Sequence, residues 1–529
     1  MRRRSFSIAL LILLVPFGLL LLLNLRSSRA ALFWLLKSWS HGGLLEELLN
    51  LLRDTARQVL KTAASPVMVA AYGTIVGIII LLENRNPDRT VAWLMVLAFV
   101  PLLGLGLYLL LGPRFASAKR LRQRHLITSR RRQRSQRPLV SSSDPGPGDG
   151  LDGASRLLSL VGESLPLGYR ELLVTSDSSS AFGALFSAVE GAREFVHCEF
   201  FSISDDRTGQ AFGELLKAKA RQGVQVRLLY DGVGSWGLRH RFVEDLREAG
   251  VKTAPFLPIS FPMFRREFNY RNHRKIAVVD GQVGFIGGFN IGDKYMGLSK
   301  RLSPWRDTMA RFTGQAAMGL DNLFRRDWLF AASEELPLHT LCPKPSPPFV
   351  QLAQGGPDSP HEDLIKHAYL AVINGSRRRL WITTPYLVPG QEILWALTNA
   401  SLRGVDVRVV IPSIPDHFTV FWASRYHVRE LLESGVRVYL YRRGFIHAKT
   451  LIADDSTASV GTVNMDVRSL EINYEAQAFV FDPRAVERLE ADFVKDFMDS
   501  QEVTFDQWRD RPLGHRLLES SFRLLSPEL

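Results

Sequence analysis

Hydrophobic residues in the first 113 positions are gathered in long uninterrupted stretches. Residues 5–25, 62–82 and 91–113 contain no charged residue, and each is long enough to cross a hydrocarbon core about 30 Å thick as a helix. The polar segment 83–90 joins the last two stretches. We therefore expect 62–82 and 91–113 to form a transmembrane helical hairpin, in preference to buried helices of a soluble domain.

The first stretch and the segment behind it allow more than one interpretation. Residues 5–25 follow three arginines and could span the membrane or act as a signal sequence. The apolar run is long for a signal sequence, and no good small-residue cleavage site follows it. Residues 44–60 have apolar positions at helical spacing, which fits a helix on the bilayer surface or an ordinary packed helix.

Positive charge is concentrated near these stretches. Residues 1–137 hold 21 lysines and arginines against 5 acidic residues, so the rest is slightly acidic although the whole chain carries +13. Ten of these basic residues lie in 114–137 without an acidic one, which is typical of the cytoplasmic side of a span. A third span at 5–25 would place the arginines at 2–4 outside, so we leave that topology open. We predict that 1–137 anchors the chain in a membrane and that 138–154 is a flexible linker.

From residue 155 onward, short apolar runs alternate with helical patterns, which predicts an α/β fold. A unit of helix end, glycine and β-branched strand occurs twice, around Gly223 and around Gly404. These units are too far apart for a solenoid repeat and indicate two similar domains. We place the domains at 155–340 and 341–529.

Each predicted domain contains the same short motif, His-x-Lys-x4-Asp followed by a Gly-x-x-Asn segment. Two occurrences with matching tails are a much stronger signal than one short motif. The residues concerned are His273, Lys275, Asp280, Gly287 and Asn290 in the first copy, and His447, Lys449, Asp454, Gly461, Thr462 and Asn464 in the second.

Histidine and lysine two positions apart on a strand point to the same face. Two such faces brought together would surround one space with two imidazoles and two ammonium groups. The ammonium groups suit the non-bridging oxygens of a phosphodiester, while one imidazole can attack phosphorus and the other can protonate the leaving alcohol. This chemistry requires no cofactor, and no ligand spacing indicates a metal. The glycines and asparagines fit tight turns that approach phosphate.

Each reacting histidine also needs an acceptor on its other ring nitrogen. Asp307 and Glu475 are the candidates downstream of the two copies, and an ordinary surface carboxylate is the alternative for each. Asp280 and Asp454 are grouped with the catalytic set as motif members, although we expect them to brace turns rather than to react.

Composition narrows the classes of function further. Two cysteines, Cys198 and Cys342, exclude a disulfide framework and a cysteine-based metal site. A nucleic-acid enzyme should carry positive charge around its active region, whereas the C-terminal part is slightly acidic. We therefore expect membrane partners and no nucleic acid, and the sequence does not indicate an oligomeric state.

With these residues in view, the chain resembles the phospholipase D superfamily, whose mark is this duplicated motif, and within it the bacterial cardiolipin synthases. The likeness covers nearly the whole chain from the hairpin onward. Phrases more specific than the motif carry it, at residues 86–94, 269–275, 305–308, 384–389 and 473–475. Met309 stands where many relatives have histidine.

The resemblance implies two phospholipase D-like α/β domains, each a mixed sheet flanked by helices. They would be related by a pseudo-twofold axis, share one site and follow N-terminal transmembrane helices. It implies a phosphatidyltransferase at the bacterial inner membrane, with its catalytic part in the cytoplasm. One phosphatidylglycerol would donate its phosphatidyl group to an enzyme histidine and release glycerol, and a second would accept the group to form cardiolipin.

By the same likeness, His273 would be the nucleophile and His447 the general acid and then base. The near-symmetric sequence does not itself distinguish the two histidines. A hydrolytic phospholipase D, or a transferase with another donor or headgroup, would carry the same motifs and is the main alternative. A nuclease of the superfamily and a non-enzymatic membrane scaffold fit the sequence less well.

Overall fold

The structure is a computed structural model. It describes residues 74, 77, 78, 80, 81, 87–100, 104, 152–161, 164–258, 269–344, 346–357, 359, 361, 363–524 and 526. The predicted stretch at 5–25, the helix at 44–60 and the basic segment at 114–137 lie outside the described residues. The chain divides into two compact units, 1–113 and 114–529.

The first unit contains one described helix, α1 (Pro87–Phe99). Ile80 and Leu97 are buried in one small cluster, with Trp93 and Leu94 packed against it. The two arms of the predicted hairpin therefore contact each other. Among the positions described in this unit and the next, no helix combines the length and the apolar character needed to cross a membrane.

The second unit is built from strands and helices in alternation. The strands are β1 (Leu172–Asp177), β2 (Phe195–Phe200), β3 (Gln225–Asp231), β4 (Lys252–Phe256), β5 (Lys275–Val279), β6 (Val283–Gly287), β7 (Trp305–Thr313), β8 (Phe349–Gly355), β9 (Arg379–Thr383), β10 (Leu387–Val388), β11 (Asp406–Pro412), β12 (Arg437–Tyr441), β13 (Phe445–Ile446), β14 (Thr450–Ala453), β15 (Thr457–Gly461), β16 (Met465–Asp466), β17 (Glu475–Phe481) and β18 (Ser500–Val503).

Helices connect most of these strands. They are α2 (Asp152–Leu160), α3 (Ser178–Glu190), α4 (Arg207–Arg221), α5 (His240–Glu248), α6 (Gln315–Ala332), α7 (Leu364–Gly375), α8 (Gln391–Leu402), α9 (Phe418–Glu433), α10 (Val467–Glu471), α11 (Pro483–Met498), α12 (Phe505–Arg509) and α13 (Leu513–Arg523). Aspartate side chains cap the first turns of α3 and α4 by accepting backbone N–H hydrogen bonds, which satisfies donors that a helix start leaves open.

The two large sheets have the same strand order. The first runs β1-β7-β6-β5-β2-β3-β4, and the second runs β8-β17-β15-β14-β9-β11-β12 with β18 added at its edge. In the first sheet β2, β3 and β4 are parallel neighbours and the other pairs are antiparallel, and the second sheet repeats this pattern. The predicted repeat is therefore two copies of one mixed-sheet α/β domain.

Three large hydrophobic cores pack the two copies, one on each outer face and one shared between the inner faces. Helices α3, α4 and α5 cover the outer face of the first sheet, and α7, α8 and α9 cover the second. The inner faces share one core, which includes Ile276 and Val278 of β5 and Ile452 of β14 together with residues of α6 and α11. Ala277 and Val279 alternate with the first two and face the outer core, as a strand period of two requires.

Each copy also sends its motif segment across to the other copy. Strand β13, just before His447, pairs in parallel with the start of β7 in the first sheet. Reciprocally, Asn272, just before His273, bridges to Tyr474 at the start of β17. The backbone N–H of His447 donates to Arg306 O at 2.7 Å, and that of His273 donates to Tyr474 O at 2.8 Å. Both histidines therefore lie between the two domains.

Candidate active site

Each motif histidine is held by a carboxylate of the other copy. His273 Nδ1 lies 2.9 Å from Glu475 Oε1, and His447 Nδ1 lies 2.7 Å from Asp307 Oδ2. The backbone exchange described above sets this cross-pairing, because each histidine N–H binds the carbonyl of the residue just before the carboxylate. Glu475 is the first residue of β17, and Asp307 is the third residue of β7. With Nδ1 engaged, Nε2 is the ring atom of each histidine that remains for chemistry.

The two carboxylates are supported in different ways. Asp307 is fully buried and accepts the backbone N–H of Thr308 at 2.8 Å, whereas Glu475 accepts the hydroxyl of Thr462. Gly288 occupies the position in the first copy that Thr462 occupies in the second, and a Cβ there would collide with the Asp307 carboxylate. The first copy thus combines a short carboxylate with glycine, and the second combines a longer one with a hydroxyl donor.

The two motif lysines are buried beside their own histidines. Lys275 and Lys449 are each 2% exposed. Lys275 Nζ donates to His273 O at 2.6 Å, and Lys449 Nζ donates to His447 O. Burial lowers the pKa of Lys275 to about 7 and that of Lys449 to about 8. An anionic phosphodiester in the site would favour the charged form of both.

The four groups belong to one site. Burial lowers the pKa of His273, and that of His447 still further, and the ammonium groups of both Lys275 and Lys449 lower each of them as well. The Glu475 carboxylate opposes this by raising the pKa of His273. Since each lysine acts on both histidines, the two motifs converge on one site.

Asp280 and Asp454 lie at the far ends of β5 and β14. Asp280 comes five positions after Lys275 along the strand, which corresponds to about 16 Å. Both aspartates have positive φ, 52° and 50°, and their carboxylates accept successive backbone N–H groups. The donors are Arg193, Glu194 and Phe195 for Asp280 and Arg377, Arg378 and Arg379 for Asp454. Both aspartates therefore stabilise turns at the strand ends away from the histidines, although the sequence motif groups them with the catalytic residues.

The Gly-x-x-Asn segments follow β6 and β15. A Cβ on Gly287 or on Gly461 would collide with the backbone of the neighbouring strand, so only glycine fits there. Asn290 Oδ1 accepts the N–H of Ser202 at 3.0 Å. Asn464 is buried, and its Oδ1 has no hydrogen-bond partner among the residues the structure describes. The first asparagine therefore fixes a loop beside the site, and the carbonyl of the second is uncommitted within that part of the chain.

Several side chains beside the histidines were not singled out from the sequence. The Phe201 ring lies 5.0 Å from the His273 ring, and the Trp305 ring lies 5.0 Å from the His447 ring. Asp416 and Tyr386 form a hydrogen-bonded pair on the His447 side. Phe201 directly follows β2, and Asp416 comes four positions after the end of β11. Because α/β sheets form their sites at the carboxyl ends of parallel strands, this rule could have indicated Phe201 and Asp416 from the sequence.

The arrangement can perform a nucleophilic displacement at phosphorus with general acid and base assistance. It provides two imidazoles with oriented Nδ1 atoms and two buried ammonium groups. Within the described ranges, no group of three or more His, Cys, Asp or Glu residues could hold a metal ion. The geometry places the imidazoles and ammonium groups of the duplicated motif together, with a carboxylate partner on each imidazole.

Comparison with protein families agrees with the repeat. The family described as "Cardiolipin synthase, PLD-like domain" matches residues 185–328 and 369–497, one match in each copy. The family described as "Phospholipase D-nuclease N-terminal" matches residues 72–113, which covers much of the predicted hairpin. Together these matches extend over more than half of the chain.

Individual relatives are similar over most of their length. The cardiolipin synthase of Geobacillus kaustophilus is 38% identical over 473 residues, covering 88% of this chain and 93% of the relative. The major cardiolipin synthase of Bacillus subtilis is 37% identical over 473 residues, covering 85% and 96%. Among solved structures, phosphatidylserine synthase of Haemophilus influenzae has a TM-score of 0.55 at 14% identity and matches 72% of this chain and 100% of its own, a likeness of fold.

Proposed function

This chain belongs to the bacterial cardiolipin synthase family of the phospholipase D superfamily, and we propose that it converts two phosphatidylglycerol molecules into cardiolipin and glycerol. The observation that carries the proposal is the shared site in which each motif histidine is bound by a carboxylate of the other copy. Two buried lysines beside these histidines fit a phosphodiester substrate.

In the first step, His273 Nε2 attacks the phosphorus of the donor lipid. The bound phosphodiester anion favours the protonated form of His447, against the lowering of its pKa by burial. The bond between phosphorus and the glycerol oxygen breaks, and the leaving oxygen takes the proton from His447 Nε2. Glu475 and Asp307 hold the Nδ1 protons of the two rings and stabilise the positive charge that each ring carries in turn. Lys275 and Lys449 stabilise the negative charge on the non-bridging oxygens.

In the second step, a hydroxyl of the acceptor phosphatidylglycerol gives its proton to His447 Nε2. A new bond forms between that oxygen and phosphorus, and the bond between phosphorus and His273 breaks. Both histidines return to their starting protonation states, so the cycle needs no external acid, base or oxidant. Asn464 is buried in the segment that follows β15, and the family motif implies that it assists phosphate binding.

The N-terminal region serves in this proposal as a membrane anchor. Support comes from the uncharged stretches 62–82 and 91–113, from the buried cluster that joins Ile80 and Leu97, and from the matching N-terminal family. The basic segment 114–137 favours the cytoplasmic side for everything after it. The enzyme would thus act at the inner face of a bacterial cell membrane, where its phospholipid substrates lie.

The test is a lipid assay on membranes that contain the full chain. Labelled phosphatidylglycerol is supplied with a metal chelator and without a CDP-linked lipid, and the matched control is His447→Ala. We expect labelled cardiolipin and released glycerol from the wild type and neither from the variant. Phosphatidic acid as the sole product would replace the proposal with a hydrolase, and a requirement for phosphatidylethanolamine would overturn the donor assignment.

A further inference from the structure

The two sides of the active site differ in polarity. On the His273 side, the Phe201 ring contacts the histidine, and Lys275 Nζ lies 5.4 Å from the centroid of the same ring. On the His447 side, the Trp305 ring contacts the histidine, and polar groups lie beyond it. This asymmetry is not apparent from the duplicated motif.

The polar groups beyond Trp305 form a connected cluster. Tyr386 Oη donates to Asp416 Oδ2 at 2.7 Å, and Lys294 Nζ lies 3.9 Å from the same oxygen. Lys294 Nζ also lies 5.0 Å from the centroid of the Trp305 ring. The Asp416 side chain is 5% exposed and that of Lys294 is 36% exposed, so the cluster runs from beside His447 toward solvent.

The first copy has no matching cluster at its corresponding loop. There, Asp231 at the end of β3 has its carboxylate committed to backbone N–H groups of Val233, Gly234 and Asn272 at 2.8 to 2.9 Å, and Arg271 Nη1 donates to its Oδ1 at 3.3 Å. Ser235 lies at the loop position that corresponds to Asp416, and its hydroxyl donates to Phe201 O. Among the residues that the structure describes, the carboxylate, phenol and ammonium combination therefore lies on the His447 side.

We propose that Asp416, Tyr386 and Lys294 form a subsite for a polyol headgroup beside His447, which binds the glycerol of the donor as it leaves and the glycerol of the acceptor as it enters. The inference rests on the proposed function and deepens it by naming the residues that select the alcohol. A carboxylate accepts hydrogen bonds from hydroxyls, and a vicinal diol offers two of them. The Lys294 ammonium group supplies a donor, and the Tyr386 oxygen, whose proton goes to Asp416, supplies a further acceptor.

The position of this subsite agrees with the order of the chemistry. In a double displacement, the leaving alcohol and the entering alcohol occupy the same place, opposite the nucleophile. A polyol subsite beside His447 assigns that histidine to proton transfer with the alcohol, and it leaves His273 for attack on phosphorus. The asymmetry thus distinguishes two histidines that the sequence repeat makes equivalent.

The experiment compares two alcohol acceptors with a donor that has no polyol. Phosphatidyl-p-nitrophenol is given to the full-length enzyme in lipid micelles, with either glycerol or 1-propanol as the acceptor. The readout is the ratio of kcat/KM for phosphatidylglycerol formation to that for phosphatidylpropanol formation. We expect Asp416→Asn to lower this ratio about tenfold or more, because a site built to bind a hydroxyl loses specificity with its charged partner.

Tyr386→Phe should lower the same ratio in the same direction and serves as the second variant if Asp416→Asn is inactive with both alcohols. The matched control is Asp455→Asn, since Asp455 is an exposed partner of Arg378 and Arg379 and should leave the ratio unchanged. An unchanged ratio in Asp416→Asn, or in Tyr386→Phe when the first variant is inactive, would overturn the subsite. A wild type that transfers to neither alcohol would instead contradict the proposed function.

Discussion

At the scale of single residues, burial sets the chemistry of the site. The two lysines keep ammonium groups in a nearly solvent-free space, and their pKa values fall to about 7 and about 8 for that reason. Desolvation disfavours the charged form of a base, so each lysine is held near the point at which it loses its proton. Binding of a phosphodiester anion restores the preference for the charged form, which couples substrate binding to protonation.

A pH profile of kcat/KM should reveal this coupling. As the pH rises through about 7, Lys275 loses its proton in the free enzyme, so we expect kcat/KM for phosphatidylglycerol to fall above that value. Arginine stays charged at alkaline pH. Lys275→Arg should therefore move the fall toward pH 8, where Lys449 titrates, even though its maximum rate is lower. A fall at the same pH in both enzymes would assign the titration to another group.

At the scale of elements, a non-local backbone exchange makes the site. The sequence indicates Asp307 and Glu475 as candidate acceptors but does not indicate which histidine each one holds. That pairing depends on β13 lying beside β7 and on Asn272 bridging to Tyr474, contacts between segments that are far apart in the chain. For Asp416, the carboxyl-end rule indicates the loop after β11, but which side chain of that loop lies beside His447 depends on the packing around it.

The cross-pairing predicts that the variants of the two carboxylates slow different steps. Asp307→Asn should impair His447, so release of glycerol from phosphatidylglycerol should slow by roughly 10²–10⁴-fold. The first release of nitrophenolate from phosphatidyl-p-nitrophenol should be much less affected, because nitrophenolate leaves without a proton. Glu475→Gln should impair His273 and slow both. Glu502→Gln, on the exposed edge pair with Arg437, is the control. Identical responses of the two carboxylate variants would contradict the assignment.

At the scale of the whole molecule, the pattern of the sequence predicted the two α/β copies and the convergence of their motifs. Short β-branched runs that alternate with helical patterns are a local signal, and the duplicated motif indicates which strands carry the site. The exchange of motif segments between sheets and the shared inner core could not be derived, because both arise from packing between distant elements. The boundary between the domains after residue 340 stays a prediction. The sheets do not divide strictly at that boundary, because β13 of the second copy pairs with β7 of the first.

The anchor predicts a definite topology. A reporter enzyme that is active only in the cytoplasm, fused after residue 140 of a chain truncated there, should be active because the basic segment 114–137 is retained on that side. The same reporter fused between the hairpin arms, at residue 86, should be inactive. Activity at residue 86 combined with inactivity at residue 140 would reverse the orientation.

The most direct test of the account is to find which histidine carries the phosphatidyl group. Phosphatidyl-p-nitrophenol is mixed with His447→Asn and with His273→Asn, nitrophenolate release is followed, and the acid-labile adduct is located by peptide mass spectrometry. The account predicts a burst of about one nitrophenolate per active chain from His447→Asn, with the adduct on His273, and no burst from His273→Asn. A burst from His273→Asn with an adduct on His447 would contradict it.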